Sequence, residues 1–354
     1  MSNKSSLLLL TGATGHVGFA VLVEALQAGY NVRVVLRTMS KSSSILSSEA
    51  VKEILSSSMA PELSFVEVPD ITVPGAFDSA MRDVVYVIHS ASPINRGKFQ
   101  DLQKELIDPA VKGTSNILEA AQNTPSVYRV VITSSNSAIV NYNSPLATGT
   151  RVLPSDRQSD YSLDQKMHDG EEAYVAAKTA ALNATDVFVS KADSLHFDIV
   201  SIMPTYVFGP KGLAQSPEDI LDGSNVFGIG LALMKQSWGS LRIEAVSCHV
   251  DDVAQAHVRA LNHSKDAQFP YNAGTHRSCL LGTPFQPDEV REIIQKEFPE
   301  ELWKMENGVF GGKGSYEWYH VNYDVDAAER LIGRKLQGIS EQIRSTALQV
   351  LSVA

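Results

Sequence analysis

Tyr174-Val175-Ala176-Ala177-Lys178 sets a phenol and an ammonium four residues apart. On a helix, that spacing puts both side chains on one face. A free tyrosine titrates at about pH 10, too high for efficient acid–base work at neutral pH. A lysine cation beside it favours the phenolate and lowers that value. Of the chain's 11 tyrosines, only Tyr174 is followed four residues later by a lysine. Alone, the pair would read as an ordinary surface pair. Its place gives it weight, because the predicted helix 170–191 follows a fifth predicted strand. That strand ends Val131-Ile132-Thr133-Ser134-Ser135-Asn136. Ligands of parallel sheets sit outside the carboxyl ends of the strands. Ser135 is placed there to donate a hydrogen bond to a substrate carbonyl oxygen. Thr133 and Ser134 compete for that role, or cap the loop.

The second constellation lies at the N-terminus. Thr11-Gly12-Ala13-Thr14-Gly15-His16-Val17-Gly18 follows the apolar run Leu7–Leu10 and opens an amphipathic stretch ending at Gly29. Gly12, Gly15 and Gly18 directly after a strand and before a helix form a dinucleotide loop. The glycines let backbone approach a pyrophosphate, and the helix N-terminus offers N–H groups and a positive dipole end. NAD enzymes usually carry an acid at the end of the second strand for the ribose hydroxyl. Here that strand continues Arg37-Thr38-Met39-Ser40-Lys41. Arg37, Ser40 and Lys41 suit a 2′-phosphate, so the predicted cofactor is NADP(H).

The elements that must hold these groups alternate. Strands are predicted at 6–10, 31–36, 63–68, 84–89, 127–133 and 197–203, and helices at 16–28, 75–82, 101–123 and 170–191. That pattern predicts an α/β protein, a Rossmann-type doubly wound parallel sheet. Later come a helix at 251–263, a short strand near 269–272, and helices near 287–297, 324–332 and 339–351. These predict a smaller, discontinuous C-terminal substrate domain. The expected division is 1–205 plus 247–275 for the NADP-binding domain and 206–246 plus 276–354 for the substrate domain.

Composition narrows the function classes. A net charge of −10 without a basic cluster argues against nucleic acid. Leu7–Leu10 is too short for a membrane span or a signal h-region. The two cysteines, Cys248 and Cys279, form no CxxC pair, so no metal or disulfide framework is indicated and a cytoplasmic setting fits. Monomer and homodimer fit the chain equally.

Together these residues resemble the extended short-chain dehydrogenase/reductase superfamily. The nearest branch is similar to fungal NADPH-dependent ketoreductases and methylglyoxal reductases, related to dihydroflavonol and cinnamoyl-CoA reductases. The resemblance spans nearly the whole chain. Besides the segments above, it rests on Val68-Pro69-Asp70-Ile71, His89-Ser90-Ala91-Ser92-Pro93, Val111-Lys112-Gly113-Thr114, Pro204-Thr205-Tyr206-Val207-Phe208-Gly209-Pro210 and His249-Val250-Asp251-Asp252-Val253-Ala254.

The resemblance implies a catalytic trio of Ser135, Tyr174 and Lys178. It implies adenine contacts at Asp70 and Ile71, and a cofactor cleft lined by Ala91 and Ser92 beside Thr133 and Ser134. Pro204 and Val207 would lie against the nicotinamide. His249, Asp251 and Asp252 look like metal ligands on paper, but the family pattern makes them structural. The implied activity is reduction of an aldehyde or ketone, a small-molecule carbonyl substrate. Two departures bear on substrate. Ser159–Asp164 lacks the cinnamoyl-CoA reductase signature, and Val140 replaces an asparagine of dihydroflavonol reductases. An apolar pocket among Ile94, Asn136, Val140, Tyr206, Phe208 and Leu213 is expected. Rival readings are a sugar-nucleotide epimerase or dehydratase, and a non-catalytic NADP(H)-binding regulator.

Overall fold

β1, Leu7–Thr11, is four leucines and a threonine, and Leu8, Leu9 and Leu10 are fully shielded from solvent. A strand covered on both faces needs such a continuous apolar run. In the computed structural model, which describes residues 6–92, 101–140, 150–157, 170–229, 242–298 and 317–353, β1 is central. It pairs in parallel with β2 (Asn31–Leu36) on one side and β4 (Tyr86–His89) on the other. β3 (Leu63–Glu67) lies beyond β2, and β5 (Arg129–Thr133) beyond β4. Asp198–Pro204 and His276–Leu281 complete a seven-stranded parallel sheet. The order β3-β2-β1-β4-β5 is that of the Rossmann fold, and its crevice lies outside the carboxyl ends of β1 and β4.

The helix Gly170–Lys191 carries Tyr174 and Lys178. Ala173, Ala176 and Ala177 form a buried seam against Leu106, Ile107 and Ala110 of the neighbouring helical segment. Small residues three and four apart let the two helices lie close. The same turns then carry Lys178 to the end of β5.

Local chemistry explains the departures from the predicted elements. Residues 75–82 form successive turns instead of a helix, between Gly75 at φ 74° and Asp83 at φ 64°. Left-handed residues at both ends stop helical propagation, while Phe77, Ala80 and Met81 still enter the core. The segment predicted as one helix from 101 opens with a π-helical turn, Gln103–Ile107, before the α-helix Asp108–Gln122. Pro109 has no N–H to offer, and the wider turn absorbs its ring. No strand forms at 269–272, where Pro270 lies; the carbonyl of Phe269 instead accepts from Arg129 at 2.8 Å.

The strand that does form, His276–Leu281, pairs with Asp198–Pro204. A substrate domain starting at 276 therefore loses this strand to the large sheet. A second layer is built from Tyr206–Phe208, Val246–His249 and Thr283–Pro284. Its core joins Phe208, Ile220 and Phe285 to the helices Pro287–Glu297 and Ile339–Val353. No described helix is long and apolar enough to cross a membrane.

Candidate active site

The crevice begins with backbone crowding. Gly12 has φ 78°, and a Cβ there would stand 2.7 Å from the Ala91 nitrogen. A Cβ on Gly18 would stand 2.1 Å from the Gly12 carbonyl oxygen. The turn thus closes only with glycine at both positions, and it closes with the Gly15 N–H on the Gly12 carbonyl at 3.0 Å. Gly15 caps helix α1 (His16–Gln27) without a side-chain hydrogen bond. The first-turn N–H groups of a helix have no intrahelical partner. An anionic pyrophosphate fits that cradle. Thr14 and Gly15 are exposed at its lip, while Val17 packs onto the core.

Two residues of the loop also make bonds within the chain. Thr11 accepts the Ala91 N–H at 3.0 Å and meets His89 Nδ1 at 2.9 Å. Together these two bonds latch β1 to β4 beneath the crevice. His16 turns its Nε2 to the Pro210 carbonyl at 3.2 Å. Burial pushes its pKa down to about 3, so its ring is neutral and adds no cation to the loop.

At the end of β2, Arg37, Ser40 and Lys41 are all exposed. Ser40 shares a 2.5 Å hydrogen bond with Thr38. The carboxylate of Glu67 is taken by the Met39 N–H at 2.7 Å, which ties down this loop. Asp70 accepts from both the N–H and the hydroxyl of Thr72, at 2.8 and 2.7 Å. Those bonds hold its carboxyl below the usual range, with Arg37 and Lys112 adding to the effect. Ile71 lies over Gly113, where a Cβ would meet it at 2.8 Å.

Lys178 is buried, and its Nζ lies 5.7 Å from the centre of the Tyr174 ring and 3.5 Å from the Thr133 carbonyl oxygen. Burial lowers its pKa to about 8. The Thr133 hydroxyl is directed elsewhere. His257 Nδ1 donates to the Val253 carbonyl at 2.7 Å, so its bare Nε2 accepts from Thr133 at 2.7 Å. That bond removes Thr133 from the competing hydroxyls. Burial keeps His257 and His89 neutral, each with a pKa pushed down to about 4.

A cavity of about 20 Å³ lies behind Lys178, lined by His89, Ala91, Ser92, Thr133 and Ser134 among others. Ser135 caps a short 3-10 turn, its Oγ accepting the Ser137 N–H at 3.2 Å. The structure thus brings Ala91, Ser92, Thr133, Ser134 and Lys178 to one place, with Ser135 following in the chain.

Of the expected pocket residues, Tyr206 and Phe208 stack with ring centres 6.4 Å apart. Phe208 and Val140 are only 1% and 3% exposed and belong to apolar cores, so neither forms an open wall. Tyr206 stacks on Phe227 with ring centres 4.9 Å apart. Leu213 packs against the main core, Val207 is within it, and Pro204 ends its strand. Asn136 is buried in a polar network. Ile94 and Ser159–Asp164 lie outside the described residues. His249 caps the helix Val250–Ala260 through Asp251 N–H at 3.0 Å, and Asp252 accepts from Gln337 N–H at 2.7 Å. Both are structural bonds. Sequence reasoning missed His257, Glu244 and Tyr323. They lie 108 to 187 residues from their partners, so no local spacing announces them.

Fold and crevice together define a dinucleotide-binding protein of Rossmann type. The NAD dependent epimerase/dehydratase family model matches residues 8–274. The chain belongs to that family, part of the extended short-chain dehydrogenase/reductases. It is similar to the NAD-dependent epimerase/dehydratase ALT6 of Alternaria alternata, 74% identical over the full length of both chains. It is 31% identical to the ketoreductase CTB6 of Cercospora nicotianae, over 98% of this chain and 96% of that one. Among solved structures it resembles Gre2 of Candida albicans in complex with NADPH, with TM-score 0.77, 23% identity and 98% and 99% coverage. That last likeness is one of fold.

Proposed function

We propose that the chain is an NADP(H)-dependent carbonyl reductase that converts an aldehyde or ketone to an alcohol. The observation that carries this is the buried Lys178 ammonium beside the Tyr174 ring, at the end of β5 where Ser135 follows. The names of the CTB6 ketoreductase and of the putative NADPH-dependent methylglyoxal reductase GRP2 of Candida albicans support it.

Backbone of Gly12–Gly18 would hold the pyrophosphate, and Arg37, Ser40 and Lys41 the 2′-phosphate. Asp70, Ile71, Ala91, Ser92, Pro204 and Val207 would border the rest. When bound, the dinucleotide supplies a hydride to the carbonyl carbon. Ser135 and Tyr174 hydrogen-bond the carbonyl oxygen, where negative charge develops, and donors aimed there stabilise the transition state most. Tyr174 gives that oxygen its hydroxyl proton. Lys178 lowers the cost of the phenolate left behind. The neutral His257 holds Thr133, whose carbonyl in turn takes the Lys178 ammonium.

The test offers aldehydes, diketones and β-keto esters to the purified protein with NADPH and NADH in parallel. Oxidation of NADPH with a carbonyl substrate is expected; oxidation of neither cofactor with any of them overturns the reading. A second reading, a sugar-nucleotide epimerase or dehydratase, draws support from the name of the ALT6 relative. Such an enzyme keeps its dinucleotide through its cycle, so retention on dialysis would favour it. Reductases exchange cofactor each turnover, and loss on dialysis is expected here.

A further inference from the structure

Asn136 directly follows Ser135, and its side chain is 4% exposed. Its Nδ2 donates to Glu244 Oε2 at 2.9 Å and to the Tyr323 hydroxyl at 2.8 Å. Glu244 and Tyr323 are likewise buried, at 2% and 7%. An ionised carboxylate only accepts hydrogen bonds. The amide group facing Glu244 Oε2 is therefore the NH2, which turns Oδ1 back toward Ser135. There it accepts the Ser135 hydroxyl at 3.3 Å.

We propose that Asn136, Glu244 and Tyr323 form a positioning network that sets the Ser135 hydroxyl for the substrate carbonyl. The inference rests on the role given to Ser135 above. Ser135 Oγ is held from two sides, by the Ser137 N–H at 3.2 Å and by Asn136 Oδ1 at 3.3 Å. Both bonds are long, so the oxygen is located while its hydrogen stays free to swing to a stronger acceptor. Burial and Glu244 push the Tyr323 phenol well above its ordinary pKa, so the triangle keeps its proton at any working pH.

Glu244 ends the strand Arg242–Glu244, paired with Glu317–Tyr319, and Tyr323 belongs to Asn322–Tyr323, paired with Arg151–Val152. The network thus ties the serine loop of the large sheet to segments that come after it in the chain. Bonds between buried polar groups on separate elements hold those elements to one geometry.

The test measures kcat and KM in Tyr323→Phe and Glu244→Gln, each made in the parent and in a Ser135→Ala background. In the parent, kcat should fall about tenfold while KM for NADPH stays within about twofold. In Ser135→Ala, the same substitutions should change kcat by less than about twofold, because their effect runs through a hydroxyl no longer present. Equal losses in both backgrounds, or no loss in either, overturn the network. Ser135→Ala with full kcat instead overturns the role of Ser135, a separate failure. Glu244→Gln keeps the side-chain volume. It carries the test if Tyr323→Phe lowers the melting temperature by more than about 5 °C.

Discussion

The Nζ of Lys178 stands 5.7 Å from the centre of the Tyr174 ring, on the same face of one helix. A buried cation at that distance stabilises a phenolate more than it would in water, because little solvent screens it. The same burial works against the cation itself. Lys178 is held between these effects, with its pKa lowered to about 8 and the Thr133 carbonyl as a hydrogen-bond acceptor.

Replacing Tyr174 by phenylalanine removes the proposed acid and leaves the ring in place. Turnover should fall by roughly 10²–10⁴-fold, the usual weight of a general acid. NADPH affinity, read by fluorescence titration, should change by less than about threefold. A large loss of binding with turnover retained would contradict the assignment.

The pKa of Lys178 sets a pH limit. The cation is present below about 8 and lost above it. The pH profile of kcat/KM reports groups of the free enzyme. For carbonyl reduction it should therefore decline as pH rises through about 8. Steady-state assays across neutral to alkaline pH check this. A profile flat to well above that value would contradict it.

Arg37 and Lys41 are exposed at the end of β2, where they would meet a 2′-phosphate. A charge-assisted bond is worth about 1.5–3 kcal/mol. Arg37→Ala with Lys41→Ala should lower the NADPH-over-NADH ratio of kcat/KM by roughly 10–100-fold. Activity with NADH should stay nearly unchanged. Equal losses with both cofactors would contradict a phosphate-binding role.

Histidines that desolvation keeps neutral make the fold acid-sensitive. Burial pushes His16 down to about 3, and His89 and His257 to about 4. In the unfolded chain each titrates at about 6.5. As pH falls from 6.5 toward those values, the unfolded state takes up protons that the folded state refuses. Stability is therefore full above about 6.5 and is lost as the pH falls through the folded values. Melting temperatures measured from pH 7 to 4.5 should fall steadily. Replacing His257 by glutamine should flatten part of that slope.

Much of the sheet could be read from the chain. The runs Leu7–Leu10, Val34–Leu36 and Val130–Ile132 are apolar because both of their faces are covered, and that pattern is local. The helix Pro287–Glu297 was legible for the same kind of reason, an apolar face at helical spacing. The failures were also physical. Residues 75–82 carry helical spacing, but left-handed Gly75 and Asp83 interrupt them. Phe269–Asn272 looks like a strand, yet Phe269 offers its carbonyl to the buried Arg129.

The sequence by itself determined the glycine turn, the missing acid after β2 and the Tyr174–Lys178 spacing, because each depends on neighbours within a few residues. Tertiary structure alone decided the rest. It sent Thr11 to His89 and Thr133 to His257, and it closed Phe208 and Val140 into cores. It also brought Glu244 and Tyr323 to Asn136 across 108 and 187 residues. A buried polar group takes whichever partner the folded chain places within reach, and no local pattern encodes which one that is.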